Sequence, residues 1–349
     1  VKIAMVDKVH MKSESKPIPL HRVAVVRPFT QFLEDIGAPV KREFHRACLP
    51  YTALESVDNF IPSHRFWEFL IGMSRNEGIM DLGFLVGHKF GANCADPRMR
   101  KLLHESPTLY SGITQLSELT NRTVAHCQIG VLQLPGCGYS YYYHSPSCNA
   151  DNPAIEQIGW FGLMTLIDSV RMFTGPEWQP TGIGVMTNHP PCRSIRDAFP
   201  GTQIRTSQPY SWIALENTLL GLPPFPPEAT TTPSSSPRYE SVENNLVGSL
   251  EQLLLSYLHE GDLSIELAAA LCNTSKRTLQ RKLREAGTNY KKVLNDARFH
   301  AASELLENPA LTVTDIAHRL GYSDVAHFAR AFRRIAGVTP QLYRRQFMH

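Results

Sequence analysis

The sequence lacks the excess charge that marks a disordered chain or a polycation. Charged residues make up 19% of the 349 residues, and the formal net charge is only +3. Hydrophobic residues account for 42%, which is too many for a disordered protein and enough for a sizeable core in each of two domains. Any surface that binds nucleic acid must therefore come from local clustering of basic residues.

Long hydrophobic runs are also missing. The longest apolar stretch, Ile158 to Ile167, is about half of what a membrane-spanning helix needs, and residues 1–8 contain no signal-peptide core. The cysteines form no C-x-x-C pair, and the spacing of Cys137, His144 and Cys148 fits no common metal site. We therefore expect a cytoplasmic protein with reduced thiols, no metal site and no membrane partner.

The motifs of common catalytic sites are absent as well. There is no G-x-S-x-G, H-E-x-x-H, P-loop or G-x-G-x-x-G motif, so the sequence predicts neither an enzyme nor a cofactor. One alternative stays open, namely an enzyme or small-molecule carrier domain with a helical tail that docks another protein. Salt-dependent DNA binding by the tail would separate the two hypotheses.

One segment is rich in residues that resist packing. Pro223 to Pro237 contains six Pro and six Ser or Thr, a composition typical of an interdomain linker. The sequence thus predicts an N-terminal extension (1–26), a larger N-terminal domain (27–222), a linker (223–239) and a helical C-terminal domain (240–349).

The C-terminal part begins with a leucine-rich helix over 242–260 and continues with two short helices. Ser264 and Ser275 are their predicted N-caps, and Gly287 is at the position where a helix usually ends. Small residues are placed where the two helices would cross. Two short capped helices joined by a tight turn indicate a helix-turn-helix.

The same pattern returns about 48 residues further along the chain. Thr312 has the position in the second copy that Ser264 has in the first. Thr312 and Asp315 form a capping pair, in which Asp replaces the usual Glu. Ser323 is the predicted cap of the second helix, and Gly337 ends that helix. Because several weak signals recur in one order, the repeat predicts a second helix-turn-helix.

A longer helix is predicted between the two copies. The apolar residues of 289–309 fit one helix of about 20 residues, which is about 30 Å long. Successive major grooves on one face of DNA are about 34 Å apart, so this helix could hold two recognition helices in consecutive grooves. Basic residues cluster nearby: 275–298 has eight Lys or Arg against two carboxylates, and 319–345 has six Arg against one.

Residues 245–346 resemble the AraC/XylS family of bacterial transcription regulators. The resemblance is carried by LSIELAAALCNTSKRTLQRKLREAGTNYKKVLNDAR and by LTVTDIAHRLGYSDVAHFARAFRRIAGVTPQLYRR. It implies an all-α domain with two helix-turn-helix units joined by a central helix. We therefore expect a transcription regulator that binds double-stranded promoter DNA, contacts RNA polymerase and acts as an activator.

The second helix of each unit is expected to enter a major groove, where arginine pairs with guanine and glutamine with adenine. The predicted base readers are Arg277, Gln280, Arg281, Ala326, His327 and Arg330. The predicted contacts to the DNA backbone are Ser275, Lys276, Arg284, Lys292, Ser323 and Arg334. Asp324 has two open roles, because it could accept a hydrogen bond from cytosine or stabilise the helix N-terminus.

The N-terminal part mixes helix and strand signals, which indicates an α+β domain. Helices are predicted over 28–36, 63–76, 108–119 and 154–173. Strands are predicted over 124–134, 138–144, 181–187 and 211–215, with a hairpin at Gly136. Pro residues precede or open several of the helices, as is usual at a helix start.

This N-terminal part resembles the ligand-binding domain of the ornithine-regulator (arabinose-binding-like) branch of the same family. The segments that carry the resemblance include IPSHRFWEFL, GPEWQPTGIGVMTNHPP and RDAFPGTQIRTSQPYSWIAL. It implies a sensor for a small-molecule effector, with a possible role in a homodimer. Strand spacing and helix spacing suggest four pocket residues, although an ordinary core is the alternative: Tyr141, Tyr143, Trp160 and Met164.

Overall fold

The computed structural model describes residues 16–91, 97–123, 127–134, 136–146, 152–225, 245–261 and 263–347. Within these ranges the chain has a mixed α/β N-terminal region and a helical C-terminal region, which confirms the predicted fold class at that level. Most of the predicted N-terminal extension and linker lies outside the described residues.

The N-terminal region alternates helices with short strands. Its α-helices are α1 Val23–Asp35, α2 Val40–Arg46, α3 Ser63–Asn76, α4 Leu82–Phe90, α5 Pro97–Glu105, α6 Leu109–Thr123, α7 Ile155–Thr174 and α8 Arg193–Ala198. Its strands are β1 Leu20–Arg22, β2 Phe60–Pro62, β3 Cys127–Gln133, β4 Tyr139–Pro146, β5 Gly182–Gly184, β6 Gln203–Arg205 and β7 Ser211–Glu216. Two short 3₁₀ helices span Tyr51–Glu55 and Asn217–Gly221.

A five-stranded sheet in the order β3-β4-β7-β5-β6 organises this region. Its neighbours pair antiparallel except β5 and β6, and β3 and β4 form the predicted hairpin, with Gly136 at a φ of +77°. The long helix α7 covers one face of the sheet, where glycines allow close approach. A Cβ atom at Gly162 would come within 2.7 Å of the His144 ring.

The first helix begins earlier than its sequence predicts. Pro28 was expected to open it, yet α1 starts at Val23 and contains Pro28. The amide of Val23 donates to Asn59 O (2.8 Å) and that of Ala24 to Val57 O (3.1 Å), so a neighbouring loop pairs two of the amides that a helix start leaves open. By contrast, the prediction of a helix over 63–76 is confirmed by α3.

The C-terminal region consists of helices packed around one of them. They are α9 Leu246–Tyr257, α10 Ile265–Leu271, α11 Lys276–Glu285, α12 Tyr290–Leu306, α13 Val313–Arg319, α14 Val325–Ala336 and α15 Pro340–Phe347, and a 3₁₀ turn Leu258–Glu260 follows α9. Helix α12 contacts α9, α13, α14 and α15, while α10 packs on α11 and α13 on α14. Helix α12 is therefore the centre of the C-terminal region.

Helix α12 is shorter than predicted. It has 17 residues instead of about 20 and ends at Leu306. Pro309 disfavours the helical conformation at Asn308, which accounts for the early end. At 1.5 Å per residue the helix is about 25 Å long. Its length alone is therefore less than the groove repeat of DNA.

The two regions share a hydrophobic core at α9. Ile18 and Leu20, at the start of the described chain, are buried among the leucines of the C-terminal helices. The amide of Ile18 donates to Ser249 Oγ (2.9 Å), and the amide of Phe60 donates to Ser256 Oγ (2.7 Å). Because the two serines are two turns apart on one face of α9, they bind both β2, at Phe60, and the chain just before β1, at Ile18.

Candidate nucleic-acid interface

Side-chain caps fix where the short C-terminal helices begin. Ser264 and Ser275 each accept a hydrogen bond of 3.2 Å from the amide three residues on, as predicted. Thr312 Oγ1 accepts from the amide of Asp315 (3.1 Å), whose carboxylate accepts in return from the amide of Thr312 (3.0 Å). The predicted capping pair is therefore confirmed, and each cap satisfies an amide that a helix leaves open.

The cap of α14 is Asp324, so the prediction that Ser323 caps this helix is wrong. The Asp324 carboxylate accepts hydrogen bonds from the amides of Ala326 (3.0 Å) and His327 (3.1 Å), and these bonds lower the pKa of the carboxyl. A carboxylate can accept two amides at once and also favours the positive end of the helix dipole. Of the two roles open for Asp324, the structure therefore contains the one at the helix N-terminus.

Helix α11 presents a basic surface to solvent. Leu279 and Leu283 are fully buried against the C-terminal core. Arg277, Gln280 and Arg281, the predicted base readers of this helix, are exposed. The apolar stripe thus orients the helix so that its predicted readers stay accessible to a ligand as large as DNA.

Helix α14 has the same division between a buried and an exposed face. Phe328 and Phe332 are buried, whereas Ala326, His327 and Arg330 are exposed. This exposed face carries fewer cations than that of α11. Its chemistry is therefore better suited to anchoring and to contacts with methyl groups than to many charged base contacts.

The residues predicted to contact the DNA backbone are all exposed: Ser275, Lys276, Arg284, Lys292, Ser323 and Arg334. Two of them, Lys292 at the start of α12 and Arg334 near the end of α14, line one groove of about 300 Å³. The groove also contains polar and charged residues that sequence reasoning missed: Asn289, Lys291, Asn295 and Asp296. Their convergence depends on how α14 packs against α12, which local sequence patterns do not reveal.

Two of the basic residues are held by carboxylates of the same domain. Lys276 Nζ lies 2.5 Å from Glu266 Oε1, and this hydrogen bond lowers the pKa of Glu266. Arg281 Nη1 lies 2.6 Å from Glu285 Oε1, one turn further along α11. Both pairs are exposed, so each is weak and can be exchanged for a phosphate or a base.

A known family covers this part of the chain. Residues 267–346 match the profile of a helix-turn-helix domain, and the matched relatives include regulators of the AraC type. The C-terminal region is therefore similar to the helix-turn-helix domains of AraC-type regulators. Domains of this type bind DNA, which agrees with the exposed basic helices described above.

The similarity to known regulators extends into the N-terminal region. The chain is 31% identical to the Ornithine utilization regulator of Pseudomonas aeruginosa over 194 residues, which cover 52% of this chain and 56% of that protein. It is 33% identical to the Transcriptional activator NphR of a Rhodococcus species over 28% of this chain and 29% of that protein. The matches therefore span about half of the first relative and less than a third of the second.

A solved structure can be compared over most of the length. The transcriptional regulator CdpR from Pseudomonas aeruginosa aligns with 92% of this chain and 98% of its own, at 18% identity and a TM-score of 0.42.

The four residues predicted for an effector pocket do not meet in the structure. Tyr141 and Tyr143 lie on the sheet face opposite to Tyr142, which is buried. Trp160 and Met164 are buried in the core under the sheet, next to α4. The alternation of the tyrosines was predicted, but the face that α7 covers was not.

The cysteine–histidine group that fitted no metal site is only partly described. Cys148 lies outside the described residues, and Cys137 is exposed. His144 is buried beneath α7, and this burial lowers its pKa to about 4, so the ring is neutral at physiological pH. Separately, no helix in the described ranges is both long enough and apolar enough to cross a bilayer.

The two candidate caps of α14 can be distinguished by substitution. We expect Asp324→Ala to lower the midpoint of thermal unfolding clearly, and Ser323→Ala to change it little. Since the pKa of Asp324 is lowered on folding, its stabilisation is present above the unfolded pKa and is lost as the pH falls through the folded value. Thermal unfolding between pH 7 and pH 2 should thus show the difference between wild type and Asp324→Asn shrinking in acid. An equal effect of the two alanine variants would contradict the assignment.

Proposed function

We propose that the chain is a transcription regulator whose C-terminal domain reads two consecutive major grooves of promoter DNA. In this proposal α10–α11 and α13–α14 are two helix-turn-helix units joined by α12. The observation that carries it is the repeated arrangement of a capped short helix, a tight turn and an exposed basic helix, with α12 connecting the two copies along the chain and packing on the second. The match of residues 267–346 to a helix-turn-helix family supports the same function.

The roles of individual side chains follow from their positions on α11 and α14. Base reading is assigned to exposed residues within the first six positions of these helices: Arg277, Gln280, Arg281, Ala326, His327 and Arg330. Backbone contacts are assigned to residues at the helix ends and on α12: Ser275, Lys276, Arg284, Lys292, Ser323 and Arg334. The pairing of Lys292 and Arg334 in one groove supports a shared phosphate contact between the two halves.

The N-terminal domain, 27–222, is proposed to bind a small-molecule effector and to mediate dimerisation, with 223–239 as a linker to the domain 240–349. Contact with RNA polymerase and activation of transcription complete the proposal. The names of the relatives support regulation, since one is called a utilization regulator and another a transcriptional activator. The alternative of an enzyme or carrier with a docking tail has no such support.

The proposal is tested by footprinting the full chain on a DNA site selected from genomic fragments. Because both recognition helices are in one chain, each copy of the chain should protect two segments about one helical turn apart on one face of the duplex. Protection of a single groove would contradict the bipartite proposal. Binding that does not weaken with added salt would contradict DNA binding through these basic helices.

Arg281→Ala and Lys292→Ala should weaken DNA binding in different ways. Loss of a bidentate hydrogen bond from Arg281 to guanine should weaken the free energy of DNA binding by about 1–3 kcal/mol. It should also relax the sequence preference at one base pair. Loss of Lys292 should weaken binding to all DNA sequences alike. It should also reduce, by about 1, the slope of the logarithm of the binding constant against the logarithm of salt concentration. Binding to the selected site, to single-base variants and to random DNA at several salt concentrations would measure both effects.

The control for these variants is Lys101→Ala, which removes an exposed cation from α5 in the N-terminal region. It should leave both affinity and salt slope unchanged. An equal loss for the selected site and random DNA in Arg281→Ala would identify Arg281 as a backbone contact.

A further inference from the structure

A second groove, of about 600 Å³, lies between the end of α1, the start of α2 and the 3₁₀ helix Tyr51–Glu55. Its apolar lining consists of Ala38, Pro39 and Val40, together with the ring of Tyr51. It is a shallow groove, largely open to solvent, whose volume is in the range of small-molecule sites. None of its lining residues belongs to the four proposed earlier for the effector pocket.

The charged lining of this groove is mainly basic, through Lys41, Arg42 and His45. Lys41 Nζ lies 5.8 Å from the Tyr51 ring centroid, and no carboxylate in the described part of the chain pairs with it. Arg42 shares the carboxylate of Glu43 with Arg46, at 3.0 and 2.9 Å, so two cations there face one anion. The surface is therefore electropositive and suited to an anion.

The one carboxylate among the described lining residues is already engaged. Glu34 Oε1 accepts a hydrogen bond of 2.7 Å from the hydroxyl of Tyr51, and this bond raises the pKa of Tyr51. The pair holds the phenol in place beside the groove. A ligand would thus meet a fixed aromatic ring next to the ammonium group of Lys41.

We propose that this groove binds a small organic carboxylate with an apolar body, and that the ligand changes DNA affinity through α9. The carboxylate would pair with Lys41 and Arg42, and the apolar body would lie against Pro39 and Tyr51. The proposal deepens the effector-sensing function proposed above and rests on it.

The link to the DNA-binding domain runs through the segment that joins α2 to the 3₁₀ helix. Cys48, in this segment, adopts a left-handed φ of +54°, and its carbonyl oxygen accepts from the Tyr257 hydroxyl of α9 (3.5 Å). Thr52 Oγ1 donates to Glu260 Oε1 just beyond α9 (3.2 Å). Two residues adjacent in sequence to lining elements of the groove thus contact the C-terminal domain. A ligand that prefers one position of these residues shifts DNA affinity, and DNA shifts ligand affinity by the same factor.

The binding step is tested on the full chain with hexanoate, benzoate and glutarate as probes, and with hexanamide and inorganic phosphate for comparison. We expect at least one carboxylate to raise the midpoint of thermal unfolding in a saturable manner, and hexanamide not to do so. Lys41→Ala should weaken this binding about tenfold, because a charge-assisted contact is lost. Lys101→Ala, an exposed lysine on α5, should leave it unchanged.

Several outcomes would overturn the proposed binding site. These are the absence of a shift with all three carboxylates, an equal shift with inorganic phosphate, or an equal loss in Lys41→Ala and Lys101→Ala. Phosphate as the better ligand would indicate a general anion site instead of a carboxylate site.

The coupling step is tested by measuring DNA affinity with and without the carboxylate that binds. We expect a change of about fivefold or more, in either direction, in the wild-type chain. Thr52→Val and Glu260→Ala should keep carboxylate binding but reduce this change, because each removes one partner of the hydrogen bond to the C-terminal domain. Unchanged coupling in both variants would overturn the route through α9. DNA binding without ligand is measured in the same experiment, so failure of the groove is distinguishable from failure of the regulator function.

Discussion

Gly321→Ala is expected to destabilise the C-terminal domain by about 2–4 kcal/mol and to abolish high-affinity DNA binding. Gly321 connects α13 to α14 at a φ of +73°, which is unfavourable for any residue with a Cβ atom. That atom would lie 2.9 Å from Leu258 O and 3.0 Å from Gly261 O, and both are backbone atoms that cannot turn aside. The turn would have to move away from the segment after α9, and α14 with it.

Gly337→Ala is the matched control for this prediction. Gly337 ends α14 at a φ of +76°, but an added Cβ atom would meet nothing within 4 Å. Alanine at position 337 should therefore lower the free energy of unfolding only through its unfavourable left-handed backbone conformation, by about 1 kcal/mol. Urea unfolding and DNA affinity of the two variants would be compared. Equal destabilisation by both would refute the close approach at Gly321 as the cause.

Phe328→Ala should cost about 3–5 kcal/mol, because it leaves a cavity in a packed core. Phe328 is buried and lies 5.4 Å from the Tyr322 ring and 5.9 Å from the Phe332 ring, between ring centroids. Without it α14 should separate from the domain while α11, held by its own leucines, keeps its place. Footprints of the variant should therefore retain one of the two proposed protected segments.

Leu342→Ala is the control for the loss of apolar side-chain volume. Leu342 on α15 is 45% exposed, so its removal should change stability by less than about 0.5 kcal/mol. Both variants would be compared by urea unfolding and footprinting. Loss of both protected segments in Phe328→Ala under folding conditions would contradict independent docking of α11 and α14.

Local chemistry explains most of what the sequence predicted correctly. Ser264, Ser275 and the Thr312–Asp315 pair are caps that bond to amides within the same few residues, so their role is encoded locally. The prediction for Ser323 was wrong by one position because the neighbouring Asp324 is the stronger cap. Which of two adjacent polar residues becomes the N-cap depends on which side chain lies within hydrogen-bond distance of the first amides of the helix.

Contacts between distant segments explain what the sequence did not predict. The three-residue strands β1 and β2 have no periodicity of their own and exist because they pair with each other and bind α9. Contacts between distant segments also place Lys292 and Arg334 in one groove, and they keep Tyr141 apart from Trp160. Each depends on which faces of two elements pack together, and one sequence does not specify that choice locally.

The carboxylate of Glu266, beside the basic helix, has a consequence for how the proposed regulator is distributed along a chromosome. Glu266 holds Lys276 in the free protein, so in the proposed complex any DNA, whatever its sequence, must displace it before this backbone-contacting cation can bind. That penalty is the same for random DNA and for the target site, and it leaves their ratio unchanged. Random DNA sites outnumber the target site by about a million-fold or more. Weaker binding to all DNA therefore increases the fraction of protein that is not bound to random sites. In the proposed complex, Glu266 thus shortens the residence of the protein on random DNA, although it is not among the proposed base readers.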